Sequence, residues 1–211
     1  MLNAFLALLP LGLIGLASEA FWRTGVLKGE AGRKFIHILG GVWIALWPLF
    51  LPMPHIAVLS AGLLIGLVIS RLLHIFHAVY DVKRRTYGEY FYPIAILLCA
   101  VLAEARWHFA AAVLILAVAD GLAAVVGTRY EKRTKVYHVW EAKKTILGTA
   151  VYFASCVVVF IAVGGIYAQV LPIVTILLMS ILATLSENIL PFGTDNLIIP
   201  LSIVLLLPSV V

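Results

Sequence analysis

Apolar runs near 2–22, 35–52, 55–75, 90–104, 107–127, 145–165, 169–190 and 197–211 occupy almost the entire chain, leaving little polar sequence to clothe them. A soluble domain needs a polar exterior, yet 64% of the 211 residues are hydrophobic and only 12% are charged, with a mean hydropathy of +1.11. A helix of about 20 apolar residues crosses the hydrocarbon layer, and somewhat fewer suffice where it is short or broken. The pattern therefore predicts an all-α polytopic membrane protein of eight transmembrane helices, organised as a single membrane domain over 1–211. The first run lacks a basic leader and continues through Glu19 to Phe21 and Trp22, so it reads as a span rather than a signal peptide. Cys99 and Cys156 lie inside apolar runs with no metal-ligand or disulfide spacing, and read as packing residues.

The charges are distributed unevenly between the gaps. Of the fifteen Lys and Arg residues, fourteen fall in the first, third and fifth loops, and Arg106 alone lies on the other side. The positive-inside rule then puts the odd-numbered loops in the cytoplasm and both termini on the opposite side, as an even number of spans requires. Cytoplasmic segments 23–34, 76–89, 128–144 and 187–196 follow. The last of these differs from the others in carrying Glu187 and Asp195 without any Lys or Arg. A net charge of +5 raises the question of nucleic acid, but no continuous basic segment with interleaved aromatics exists outside the apolar runs.

Five constellations stand out at the cytoplasmic ends of the runs. In Glu30-Ala-Gly-Arg33-Lys34-Phe-Ile-His37, helical spacing places Glu30, Arg33 and His37 on one face with Lys34 beside them. A basic membrane flank explains most of that block, though not a histidine one turn into the apolar run. Arg85 to Pro93, which includes Glu89, reads equally well as an interfacial aromatic belt with a turn glycine. Asp120 lies about two turns inside the fifth span, where an unpaired carboxylate costs several kcal/mol, so it is a functional candidate by default. Ala123, Ala124 and Gly127 follow it at spacing suited to close helix packing, ahead of Arg129.

The fourth constellation, Lys143-Lys144-Thr145-Ile-Leu-Gly148-Thr149, brings two ammonium groups to the start of the sixth span. Free backbone N–H groups and hydroxyls there suggest an anion or phosphate site. The fifth, Ser186 to Pro200, breaks an apolar stretch with Pro191, Gly193 and Pro200 around Glu187, Asp195 and Asn196. Polar broken backbone at that depth survives only where it is buried in protein or lines a cavity. Histidines 55, 74, 77, 108 and 138 share no ligand spacing with acids or cysteines and receive no role. Cations that hold phosphates, beside three acids that hold Mg²⁺, point to phosphoryl or nucleotidyl transfer. Neither a G-x-x-x-x-G-K-[ST] loop nor the protein-kinase glycine loop with its H-R-D partner is present.

The blocks E-x-x-R-K-x-x-H (Glu30–His37) and E-x-x-x-P-x-G-x-D-N-x-x-x-P (Glu187–Pro200), with Tyr87–Pro93 and Asp120–Thr149 between them in order, resemble the polyprenol kinase family. That family includes dolichol kinase, phytol kinase and CTP-dependent diacylglycerol kinase, and is distantly similar to the phosphatidate cytidylyltransferases. The resemblance covers nearly the whole chain. It implies transfer of the γ-phosphate of a nucleotide, typically CTP, to the hydroxyl of a membrane lipid alcohol that enters sideways between helices. The implied partners are the bilayer, that alcohol and the nucleotide, with Mg²⁺ as cofactor.

On this reading Asp120, Asp195 and Asn196 serve the metal. Arg33, Lys34, Lys143, Lys144 and Arg129, with Thr145, Gly148 and Thr149, serve the phosphates. Glu187 or His37 orients or deprotonates the hydroxyl, and Glu30 and Glu89 are further candidates. The chain departs from the family at Leu147, where a glutamate is common, which removes one carboxylate. Rival readings are a CDP-lipid-forming cytidylyltransferase, a lipid or anion transporter, and a non-catalytic relative.

Overall fold

Proline and left-handed glycine set several of the helix boundaries. The structure, a computed structural model, describes residues 2–80, 87–140 and 142–207. Helix α1 (Leu2–Arg23) leads through Gly25 and Gly29, both at positive φ, into α2 (Glu30–Ala45). A 3₁₀ turn, Trp47–Leu49, precedes α3 (Met53–Leu72), which Pro52 starts. The short α4 (His77–Tyr80) is followed by α5 (Gly88–Leu102). Next come α6 (Arg106–Leu114), a π-helical segment Ile115–Ala119 and α7 (Asp120–Arg129), which run on as one helix. After the strands β1 (Val136–Val139) and β2 (Ala142–Thr145), the chain closes with α8 (Ile146–Ile166), α9 (Ile173–Ile189) and α10 (Asp195–Leu206). Pro172 starts α9, and Gly193 at φ +83° turns the chain toward α10.

Several apolar helices make this a multi-pass membrane protein. Among the described residues, four helices are long and apolar enough to cross a bilayer: Asn3–Arg23, Met53–Leu72, Arg106–Arg129 and Ile146–Ile166. The apolar helices Gly88–Leu102, Ile173–Ile189 and Asp195–Leu206 are shorter, and α2 spends its first turn on Glu30, Arg33 and Lys34. The segment 128–144, expected to be a loop, instead contributes an antiparallel hairpin that pairs Val136 with Thr145, Tyr137 with Lys144 and His138 with Lys143. Its first strand is rich in the β-branched and aromatic residues that fit a pleated ribbon. A small β element is thus added to the expected all-α fold. Arg85 and the basic residues Lys83 and Arg84 lie outside the described residues.

The α6–α7 helix is the packing centre: Ala110, Ala111, Ala112, Val113 and Ile115 are all shielded, and α2, α8 and α10 pack around it. Glycines set the closest approaches. A Cβ on Gly41 would collide with the Tyr92 hydroxyl and the Ala117 methyl, and one on Gly121 with the Ile38 side chain, so α2 lies tightly against this helix. Gly127 and Gly148 similarly let α7 meet α8, with a Cβ on Gly148 only 3.5 Å from the Gly127 Cα. That contact realises the packing expected of the small residues after Asp120. Away from the charged end, Trp43 donates to the Ala7 carbonyl at 2.8 Å and Arg106 to that of Pro48 at 3.2 Å.

Two glycines should therefore respond oppositely to one methyl group. Gly41→Ala should destabilise the protein by about 1–3 kcal/mol, because the Ala117 methyl it meets cannot turn away and α2 must back off from the α6–α7 helix. Gly62→Ala, where a Cβ meets nothing within 4 Å, should be neutral or stabilising by up to about 1 kcal/mol. Thermal unfolding of the two variants in detergent checks the contrast.

Candidate active site

Two ion pairs between segments distant in sequence anchor the charged end. The first joins α2 to α7. Lys34 Nζ pairs with Asp120 Oδ2, both largely shielded from solvent, and His37 Nε2 lies 3.4 Å from the same oxygen. His37 Nε2 also donates to the Leu116 carbonyl at 2.8 Å. That carbonyl is open to a side chain because of the π-helical segment: the Asp120 N–H, its α-helical partner by spacing, donates to Ala117 instead. Tyr92 packs its ring 4.2 Å from that of His37 and donates its hydroxyl to the His37 carbonyl at 2.9 Å. Arg33 is buried beside them, with its guanidinium forked onto Glu30 Oε2 at 2.8 and 3.1 Å.

The second pair joins β2 to α9. Lys144 Nζ donates to Glu187 Oε1 at 2.7 Å and to the Glu187 carbonyl. Next to it Tyr137, the cross-strand partner of Lys144, reaches Asn188 Oδ1 and lies 2.5 Å from Thr149 Oγ1. Thr149 Oγ1 is also within 3.3 Å of Asn188 Oδ1. Asp195, in the first turn of α10, is half-buried and makes no hydrogen bond or ion pair among the described residues. It lies within electrostatic reach of Asp120, Glu187, Lys34 and Lys144, so three carboxylates and two ammonium groups share one region. Asn196 is buried and donates to the Gly88 carbonyl at 3.3 Å, which ties α10 to the start of α5.

Other candidates are held elsewhere. Lys143 projects from the opposite face of the strand to Lys144 and makes an exposed pair with Glu131. Glu89 pairs with Arg71 at 2.7 Å, joining α5 to α3. Arg129 is exposed at the end of α7. The start of α8 is not the open anion cradle expected of it. Ile146 N–H donates to the Lys135 carbonyl at 3.0 Å, Leu147 N–H to Thr134 Oγ1 at 3.2 Å and Gly148 N–H to Thr145 Oγ1 at 3.0 Å. Thr145 is thereby a helix cap wedged against Gly127, and any anion at this end depends on side chains.

Two features escaped the sequence reading. Tyr137 had no signal beyond its place in an alternating segment. Glu19 and His77 were given no role, yet His77 Nδ1 lies 3.1 Å from Glu19 Oε1, Arg23 bonds the same oxygen at 3.0 Å, and Trp22 stacks on the imidazole. An acid in an apolar run was the only sequence cue.

No protein-family model and no solved structure matches the chain. Phytol kinase from Synechocystis sp. is 32% identical over 205 residues, a match covering 93% of this chain and 86% of that protein. The chain belongs to the polyprenol and phytol kinase family. It is accordingly a phosphotransferase with an alcohol acceptor, and a lipid-alcohol kinase in general terms.

The two adjacent lysines of the kinase should separate cleanly by mutation. Lys144→Met leaves the Glu187 carboxylate shielded and unpaired and should cost about 3–5 kcal/mol. Lys143→Met breaks only an exposed pair and should cost at most about 1 kcal/mol. Thermal unfolding in detergent reads both.

Proposed function

We propose that the chain transfers the γ-phosphate of a nucleoside triphosphate, CTP in our reading, to the hydroxyl of an isoprenoid alcohol of the phytol, polyprenol or dolichol type, or of diacylglycerol. The identity to phytol kinase favours the isoprenoid acceptor. The observation that carries the proposal is the grouping of Lys34–Asp120 and Lys144–Glu187 around the unpaired Asp195. In our reading the apolar runs make eight crossings in a single domain, and the loop charges put the charged end in the cytoplasm with both termini on the other side. That orientation gives the site direct access to soluble nucleotide.

Phosphoryl transfer asks a protein chiefly for positioning and charge neutralisation. The alcohol oxygen attacks the γ-phosphorus while the bond from that phosphorus to the β–γ bridging oxygen breaks, which yields a lipid monophosphate, a nucleoside diphosphate and one proton. Lys34 and Lys144 offset the charge on the phosphates, and Arg33 adds to the field from beneath Lys34. Glu187, held by Lys144, accepts the hydroxyl proton. His37 is a positioning residue, because its Nε2 is already bound to Leu116 and faces the oxygen of Asp120.

Among the described residues no three His, Cys, Asp or Glu side chains converge as a protein-only metal cage. Mg²⁺ needs no such cage, since it commonly takes one or two carboxylates and completes its shell with phosphate and water oxygens. Asp195 fits that requirement because its carboxylate has no partner among the described residues, and Asp120 lies in the same field. These two, with Asn196 nearby, would hold the ion, which when bound supplies further neutralisation of the phosphates. Leu147, half-buried at the start of α8, leaves this task to Asp120 and Asp195.

The test is product analysis with purified full-length protein, γ-labelled CTP or ATP, Mg²⁺ and phytol. The expected products are labelled lipid monophosphate and the nucleoside diphosphate, with Asp120→Asn and Asp195→Asn each lowering turnover by about a hundredfold or more. Pyrophosphate release, or wild-type turnover in both variants, would overturn the proposal.

A further inference from the structure

A groove of about 420 Å³ runs between the first two turns of α8 and the last turns of α9, under β1 of the hairpin. Its walls are apolar: Ile146, Ala150 and Phe153 on one side, Ile181 and Leu185 on the other. Ile146, Ile181 and Leu185 are each about half exposed, at 53%, 45% and 53%, so the groove opens toward the surface that faces lipid. One end is uncharged, formed by Tyr137 and Thr149, whose hydroxyls turn from the groove to meet at Asn188.

We propose that this groove is the acceptor site, holding the hydrocarbon chain of an isoprenoid alcohol with its hydroxyl against Tyr137 and Thr149. The inference rests on the kinase reading and deepens it. Three features select this occupant. The volume falls in the range of single-ligand pockets, and the side opening lets the rest of a long chain remain in the bilayer. The end at Tyr137 and Thr149 carries no cation, which suits a neutral hydroxyl and not a phosphorylated or acidic headgroup. That end is also continuous with the charged site: Asn188 adjoins Glu187, and Tyr137 lies opposite Lys144 across the hairpin.

Hydrogen-bond arithmetic assigns Tyr137 a positioning role. A phenol has one proton, and here it goes to Asn188 Oδ1, which accepts only. An incoming alcohol reaches the phenolic oxygen by taking the place of Thr149, whose own proton then goes to the Thr145 carbonyl at 3.2 Å. The acceptor is thus oriented by neutral hydroxyls before it meets the ion pair.

The experiment uses the full chain in lipid nanodiscs with a diazirine-bearing analogue of a C20 isoprenoid alcohol, and maps labelled peptides by mass spectrometry. Labelling within 146–153 and 181–185 that excess phytol displaces is expected. Ala150→Trp and Ile181→Trp should each reduce it about tenfold and raise the KM for the alcohol by a similar factor, leaving the KM for nucleotide unchanged. Val158→Trp, on the lipid-facing surface of α8 outside the groove, serves as the control and should label like wild type. Tyr137→Phe should raise the alcohol KM with little effect on nucleotide KM. Labelling that phytol fails to displace, or that persists in both groove-filling variants, would overturn the proposal. Displaceable labelling in a protein that phosphorylates no alcohol would leave the groove standing and remove the kinase reading. Phosphorylation with labelling elsewhere would do the reverse.

Discussion

Ionisable side chains at the shielded ends of an apolar bundle are tolerable only when they are paired, and that constraint organises this protein. A carboxylate as deep as Asp120 cannot stand alone without a cost of several kcal/mol. Lys34 answers it from α2, with His37 behind, and in doing so fixes how α2 lies against α7. Lys144 answers Glu187 in the same way and fixes the hairpin onto α9. The helices that must be held together to keep these charges satisfied are those that line the site. Asp195 has no partner among the described residues, and it is the group most suited to a ligand that arrives with its own counter-charge.

Backbone geometry makes the first pair possible. The π-helical segment before α7 frees the Leu116 carbonyl for His37, and Gly41 and Gly121 bring α2 close enough for Lys34 and His37 to reach the same aspartate. The second pair depends on a hairpin whose two faces separate neighbours. Lys144 and Tyr137 meet α9 and α8, and Lys143 is left at the surface with Glu131. Beneath the hairpin, the same packing leaves the apolar groove whose neutral end adjoins Glu187.

Much of the candidate site was legible in the sequence because a charge inside an apolar run is conspicuous. Asp120, Glu187, Asp195 and the Arg33-Lys34-His37 block stood out for that reason. Which charges pair was not legible, since Lys34 and Asp120 are 86 residues apart and Lys144 and Glu187 are 43 apart. The hairpin was missed because four-residue strands within a basic loop give a weak alternating signal. With it went the distinction between Lys143 and Lys144, which adjacency alone suggested were equivalent. The start of α8 looked like an anion site because Thr134 and the Lys135 carbonyl, which close it, come from across the hairpin. Helices α5 and α10 begin at Gly88 and Asp195, just before the apolar runs near 90–104 and 197–211, because helix ends are set by local backbone rather than by hydropathy.

The most direct test of the account removes the Lys34–Asp120 pair as a unit and reads stability and chemistry separately. Lys34→Met and Asp120→Asn alone should each lower thermal stability, because each strands a shielded charge, and the double variant should recover most of that loss. Phosphorylation of the lipid alcohol should stay about a hundredfold or more below wild type in all three. A double variant that regains wild-type turnover along with stability would show that the pair only holds helices together, and would contradict the site described here.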